Sequence, residues 1–255
     1  MPLLEISNLS KSFGGNRAVD QVNMHVNTGE IAGLVGPNGA GKSTVFNLIS
    51  GFIRPDSGVV TLKGKTISGL RPDQIAMRGV GRTFQITQLF HGQTVLESLL
   101  AGHVRREKTG FWQAFLNSRA YRQERKQAYE KSIEVLEFMG LAAWKETQVN
   151  VLPPGIQRFL GIAQVIMSPV DILLLDEPFT GMNEGEISDL LGKLRKLQSQ
   201  GVSILIIEHH MKAAMTLCDR MVVINFGRKI GEGTPQEIGS DPVVIEAYLG
   251  RKRGR

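Results

Sequence analysis

The run Gly36-Pro37-Asn38-Gly39-Ala40-Gly41-Lys42-Ser43-Thr44 has the residue types of a phosphate cradle at the spacing G-x-x-x-x-G-K-S. Its glycines let the backbone curl until successive N–H groups face one point, and a helix starting there adds its positive dipole end. A polyphosphate can sit at that point. Lys42 supplies a mobile positive charge for the β- and γ-phosphates, and Ser43 a hydroxyl able to ligate Mg²⁺. A plain glycine turn needs neither residue. Farther on, Asp176-Glu177 closes the apolar run Ile172-Leu173-Leu174-Leu175. A carboxylate at the carboxyl end of a buried strand lies beside such a loop in a doubly wound sheet. Asp176 is expected to hold Mg²⁺, directly or through water, and Glu177 to orient and deprotonate an attacking water. The run Ser203-Ile204-Leu205-Ile206-Ile207 then ends in Glu208-His209-His210. A neutral imidazole there can reach the γ-phosphate and hold water and Glu177 in line; His209 is the first choice and His210 the fallback.

The positioning elements follow from pattern. Ile31 to Val35 reads as a strand entering the cradle and Val45 to Ile49 as the helix leaving it. Leu3 to Ile6 and Val22 to Val26 read as strands of an antiparallel start, with Ser12 to Asn16 a loop between them. Val59 to Leu62 is a strand, Gly64-Lys65 a hairpin signal, and Pro72 to Ala76 a short helix with proline in its first turn. Val80 to Gln85 looks like a strand running into a loop. Between Val80 and Gln164 the chain becomes helical and charged, with Leu96, Leu99 and Leu100 on one stripe and helical spacing from Arg119 to Met139. Leu152-Pro153-Pro154-Gly155 ends a loop and opens a helix. Apolar strands without alternation at 172–175, 203–207 and 221–224, separated by helices at 184–197 and 211–217, imply a parallel sheet covered on both faces. Gly227-Arg228 begins a last hairpin, and two short helices close the chain.

The composition is that of a globular chain: 255 residues, 42% hydrophobic and 21% charged. Its length suits one large domain or a core with a sub-domain. No apolar run approaches the roughly 18 residues of a membrane span, and Met1 to Glu5 lacks the pattern of a secretory signal, so a cytosolic location or the cytoplasmic face of the inner membrane is expected. The single cysteine, Cys218, excludes an internal disulfide and reads as a buried small apolar side chain. A net charge of +6 would suit nucleic acid or an anionic membrane, yet part of the excess is the tail Arg251-Lys252-Arg253-Gly254-Arg255, which reads as a solvated end; no nucleic acid is expected.

Taken together, Gly36 to Thr44, Thr83-Phe84-Gln85, Gly155-Ile156-Gln157, Leu173-Leu174-Leu175-Asp176-Glu177-Pro178, Thr180-Gly181-Met182-Asn183 and Glu208-His209 stand in the order and spacing of the ATP-binding cassette (ABC) family, which the chain resembles over nearly its whole length. Through Gly79 to Gln85, Thr94 to Leu99, Thr180 to Asn183 and Glu208 to Lys212 it is most similar to ATPase subunits of bacterial importers for branched-chain amino acids and related small polar solutes. The resemblance implies an α/β fold with a P-loop NTPase core of mostly parallel sheet, an N-terminal antiparallel β-subdomain and a helical subdomain. The core would span 1–84 and 165–255, and the helical subdomain 85–164. ATP and Mg²⁺ are the implied ligands. Phe13, where many relatives have tyrosine, would stack on adenine. Gln85 would sense the metal and water and pass their state to the helical subdomain, whose outer surface docks on a membrane subunit. Asn183 stands where the family often has aspartate, and with Glu186 also forms an N-cap box.

The chain departs from the family at the signature loop, typically Leu-Ser-Gly-Gly-Gln, which reaches across a dimer to the partner's γ-phosphate. Here the stretch is Leu152-Pro153-Pro154-Gly155-Ile156. Pro153 removes the hydroxyl and both prolines lack an N–H. The N–H groups of Gly155, Ile156 and Gln157 are expected to keep a weakened anion contact at the helix start. Because this loop serves the other subunit's nucleotide, the resemblance implies pairing with a similar but distinct second ABC ATPase, a homodimer being the alternative. Two transmembrane permease subunits, and indirectly a periplasmic solute-binding protein, complete the implied assembly. Two other readings remain open at this level: a nucleotide-gated regulatory subunit with little hydrolysis, and a soluble non-transport ABC ATPase.

Overall fold

The computed structural model describes residues 2–83, 92–103, 119–209 and 211–249. Gln85, His210 and the basic tail fall outside the described residues. The chain forms two compact units, one of Met1–Arg82, Asp171–Thr180 and Leu194–Arg255, the other of Thr83–Val170 and Gly181–Lys193.

The first unit holds two sheets. Strands β1 (Pro2–Phe13), β2 (Asn16–Asn27), β4 (Ser57–Leu62) and β5 (Lys65–Thr66) form an antiparallel sheet in the order β2-β1-β4-β5. The loop expected over Ser12 to Asn16 is shorter than that. Ser12 pairs with Arg17 and Phe13 with Asn16, leaving only Gly14-Gly15 at the tip, because a two-residue glycine turn matches the strand twist and lets the ladder run to its end. The second sheet orders β10 (Arg228–Gly233), β9 (Arg220–Asn225), β3 (Ile31–Val35), β8 (Ser203–Ile207), β7 (Ile172–Asp176) and β6 (Val80–Arg82) side by side. Every neighbouring pair is parallel except β9 with β10. Burial explains the unbroken apolar runs: β3 and β8 are buried at every residue, and β7 at all but its terminal aspartate.

Helix α1 (Lys42–Ile49) belongs to one apolar cluster with both sheets, its Val45, Phe46, Leu48 and Ile49 joining Leu4, Ile6, Val22 and Val60 from the antiparallel sheet and Leu34, Leu174 and Leu205 from the parallel one. Phe46 is fully buried, which contributes about 1.5–3 kcal/mol relative to exposure. The helix that follows the cradle is thereby fixed from both sides. Helix α2 (Pro72–Met77) has its proline in the first turn, as the sequence predicts.

The second unit is helical. Helices α3 (Val95–His103), α4 (Arg119–Met139) and α5 (Pro154–Ile166) pack on one another, and Leu99, Leu136, Met139, Phe159 and Leu160 on them are buried. Thr94 and Glu97 cap α3 reciprocally, Thr94 N–H donating to the Glu97 carboxylate and Glu97 N–H to the threonine hydroxyl. Helix α6 runs Glu184–Ser199, and Asn183 and Glu186 form the box expected of them, each backbone N–H donating to the other's side chain at 2.9 Å. Helices α7 (Met211–Leu217), α8 (Pro235–Ser240) and α9 (Pro242–Leu249), which belong to the first unit, complete the described chain. Among the described residues no helix is long and apolar enough to cross a membrane.

Candidate functional site

Register puts the candidate residues on one edge. Leu34 of β3 pairs with Ile207 of β8, and Ile207 with Asp176 of β7, so the chain leaves all three adjacent strands at the same level. From those ends emerge the glycine loop after Val35, the pair Asp176-Glu177, and Glu208-His209. Ligand sites of open α/β sheets lie at this carboxyl edge.

The loop curls because its glycines take backbone positions closed to other residues. Gly36 has φ 154° and Gly41 φ 105°; a Cβ on the first would meet the Ile224 carbonyl oxygen at 2.1 Å, and on the second that of Ala18 at 2.3 Å. Gly41 is the N-cap of α1 and brings no side-chain cap to it, and the first turn carries no acid. The opening N–H groups of that helix are thus left for an anion, which fits a phosphate group. Ser43 is exposed there and Thr44 half-buried, while Pro37, Asn38 and Gly39 form the tip and Ala40 is buried. Lys42 is buried, and its ammonium donates to the carbonyls of Gly36 at 2.7 Å and Pro37 at 2.9 Å. Burial pushes the Lys42 pKa down, while the charges of Glu177 and Asp176 push it back up. The lysine and the acid pair, far apart in sequence, therefore share one electrostatic site.

Glu177 and His209 meet, His209 Nδ1 lying 3.5 Å from Glu177 Oε1. Glu177 adopts φ 48°, the left-handed region that a non-glycine residue seldom occupies, and its N–H donates to Ile207 O at 2.9 Å. Phe13 is half-exposed at the end of β1 with Lys11 Nζ 5.7 Å from its ring centroid. The start of β2 lies against the loop, Ala18 touching Gly41, so Phe13, paired with Asn16, stands at the same hairpin tip. A cavity of about 540 Å³ flanks the loop tip between Pro37–Ala40 and Phe226, Ile230 and Val243, and neither Lys42 nor the acid pair lines it.

Two neighbours of this site were not singled out from sequence. Arg82 Nη2 approaches Asp176 Oδ2 at 3.6 Å while its Nη1 donates to Asn47 Oδ1 at 2.8 Å and Ser50 Oγ at 2.6 Å. Burial lowers the Arg82 pKa, with Asp176 opposing the shift. Glu208 is fully buried and accepts from two backbone N–H groups. The only sequence signal for either was a charge at the end of an apolar strand.

In the helical unit, α5 starts at Pro154 with Pro153 as an N-cap that offers no side-chain hydrogen bond. Of the three N–H groups expected to keep an anion contact, that of Gln157 instead donates to Pro153 O at 3.0 Å, as the first bond of the helix. Gly155 is packed under Glu186, and a Cβ there would meet the Glu186 carboxylate at 2.4 Å.

A glycine loop opening a helix, a buried lysine and an acid pair at adjacent strand ends define a nucleotide-binding ATPase of the P-loop class. Residues 19–180 match the model of the ABC transporter family, and residues 228–253 that of the branched-chain amino acid ATP-binding cassette transporter. The chain belongs to the ABC transporter family, as an ATP-binding, ATP-hydrolysing subunit. It is 42% identical over 250 residues to the high-affinity branched-chain amino acid transport ATP-binding protein BraF of Pseudomonas aeruginosa, covering 98% of each. It is 40% identical to the LivG protein of the same description from Escherichia coli K12, again covering 98% of each. A nucleotide-free ATP-binding cassette from an ABC transporter superposes with a TM-score of 0.87 at 31% identity, with 98% of this chain and 100% of that chain covered. The ADP conformation of such a cassette superposes with a TM-score of 0.86 at 31% identity, covering 98% and 99%.

Proposed function

We propose that this chain is the ATPase subunit of an importer for branched-chain amino acids or a related small polar solute. The observation that carries the hydrolytic part is the convergence of Lys42, Glu177 and His209 at the carboxyl ends of adjacent strands. The solute class is supported by the names of the relatives and by the C-terminal family match.

In this reading the N–H groups of the 36–44 loop, apart from Pro37, which has none, and Ala40, whose N–H donates to Pro37 O at 3.2 Å, hold the β- and γ-phosphates, and Lys42 turns from the carbonyls of Gly36 and Pro37 to the phosphate oxygens. Phe13 stacks on adenine. Glu177 accepts the proton of the attacking water, and His209 holds Glu177 and water in line. Ser43, Asp176 and Gln85 are the residues that would hold Mg²⁺, which when bound neutralises phosphate charge. Gln85 lies outside the described residues. The chemistry of the donors, a hydroxyl, a carboxylate and an amide oxygen, suits a hard cation.

The helical segment 85–164 would dock on one of two transmembrane permease subunits, holding the chain at the cytoplasmic face of the inner membrane, with a periplasmic solute-binding protein delivering solute to the far side. The loop Leu152 to Ile156 would serve the nucleotide of a second ABC ATPase, and Pro153-Pro154 favours a distinct partner whose own signature loop is intact. Steady-state ATP hydrolysis by the assembled transporter tests the reading. Loss of uptake and of hydrolysis at this chain's own site is expected from Glu177→Gln; unchanged hydrolysis would turn the assignment toward a nucleotide-gated regulatory subunit.

A further inference from the structure

We infer that Glu208 is a positioning residue that fixes Glu177 and His209 relative to one another; the inference rests on the ATPase reading above. Its carboxylate has no solvent exposure, yet it stands directly after an apolar strand, where a buried charge is costly unless hydrogen-bonded. Its Oε1 accepts the N–H of Phe179 at 3.1 Å and its Oε2 the N–H of His209 at 3.1 Å. Phe179 lies two residues after Glu177. One carboxylate therefore grips the backbone on both sides of the 3.5 Å approach of His209 to Glu177.

The neighbouring bonds complete the frame. Glu177 N–H donates to Ile207 O at 2.9 Å, and Thr180 N–H to Glu177 O at 3.3 Å, so the left-handed backbone at Glu177 is held from before and after. The turn after β7 and the exit of β8 cannot shift separately without breaking a charge-assisted hydrogen bond in a buried setting. Movement of His209 is thus transmitted to the turn at Pro178-Phe179, and the reverse. An amide cannot replace the carboxylate, because glutamine has one accepting oxygen and would turn its NH₂ toward the second N–H.

The test is Glu208→Gln in the complete transporter complex, read as kcat and KM for ATP hydrolysis, in the parent and in a His209→Ala background. The expected result is a kcat at least tenfold lower with KM within twofold, shrinking to less than twofold in the His209→Ala background, since the glutamate acts through that histidine. A kcat within twofold of the parent, or equal losses in both backgrounds, would overturn the inference. Amide hydrogen exchange on the unmodified full chain gives an independent reading, which also stands if the variant fails to fold. Phe179 and His209 N–H are expected to exchange slowly and together, and rapid exchange at either overturns the clamp. A parent complex that does not hydrolyse ATP, or that ignores Glu177→Gln, would overturn the ATPase reading instead and leave the clamp to be judged by exchange alone.

Discussion

His209 Nδ1 stands 3.5 Å from Glu177 Oε1, across the junction of two strands that pair up to Asp176 and Ile207. The contact exists because β7 and β8 end level, so the residues just beyond their ends face each other.

This pairing predicts that the two side chains act as a unit. Glu177→Gln should lower hydrolysis of this chain's own ATP about 10²- to 10⁴-fold, the usual range for a positioned base. His209→Ala should also lower it, and the double variant should fall no further than the worse single one. Steady-state hydrolysis of the three variants measures this, and multiplicative losses would show that the residues work separately.

Lys42 predicts a pH dependence of binding. Burial favours its neutral amine, so its pKa in the fold lies below the ordinary 10.5, and the triphosphate needs the ammonium. Nucleotide affinity should therefore fall as pH rises through that lowered value. Glu177→Gln removes a charge that helps hold the proton, so the fall should begin at lower pH in the variant. The stability of the nucleotide-free chain has the opposite sign. The unfolded chain keeps the proton longer, so the fold gains stability as pH rises through the same window. Calorimetric titrations with ATP from neutral pH to 10.5, with and without the substitution, would settle the direction.

Below the loop, the core predicts a repairable clash. Gly33 sits mid-strand in β3, and a Cβ there would lie 2.8 Å from Cys218 Sγ but 3.7 Å from Cys218 Cβ. Gly33→Ala should destabilise the chain by roughly 1–3 kcal/mol through overpacking. Adding Cys218→Ala should recover most of the loss, because only the sulfur is too close. Burial pushes the Cys218 thiol up to about 12, so its removal takes away packing and no thiolate chemistry. Denaturant midpoints for the two single variants and the double check the pattern.

The parts of this molecule that sequence displayed are those whose meaning is local. Gly36 to Thr44 combine a turn and a helix start within one stretch, and β7 and β8 announce double-sided burial by apolar runs. Arg82 and Glu208 were hidden for the opposite reason. Their partners Asp176, Asn47, Ser50 and Phe179 lie far away along the chain, and a charged residue at a strand end looks the same whether it caps a turn or holds a site. The placing of Ser12 and Phe13 in a loop had a similar cause: polar residues near glycines resemble a turn until strand pairing carries the ladder to the tip. The strained φ of Glu177 had no sequence signal, since glutamate does not advertise a left-handed backbone.

The proline pair at the start of α5 gives a prediction of opposite direction, a gain. Pro153 occupies the N-cap with φ −55° and ψ 147°, an extended backbone that serine can adopt, and supplies no side-chain hydrogen bond. Of the first helical residues, Pro154 has no N–H and Gln157 N–H is taken by Pro153 O, so Gly155 and Ile156 carry the donors left to meet an anion. Against Gly155 lies the Glu186 carboxylate, a negative charge beside those donors. Pro153→Ser should add a hydroxyl that caps α5, worth about 0.5–2 kcal/mol to the helix, and that can donate to a phosphate oxygen of the partner subunit's nucleotide. One charge-assisted hydrogen bond of roughly 1.5–3 kcal/mol corresponds to about tenfold or more in turnover. That gain belongs to the other subunit's ATP, so it should survive Glu177→Gln in this chain, which silences this chain's own site. ATPase rates of the heteromeric complex carrying Glu177→Gln with and without Pro153→Ser isolate the effect. An unchanged residual rate would mean that this loop does not reach the second nucleotide, and that Pro153-Pro154 serves only to start the helix.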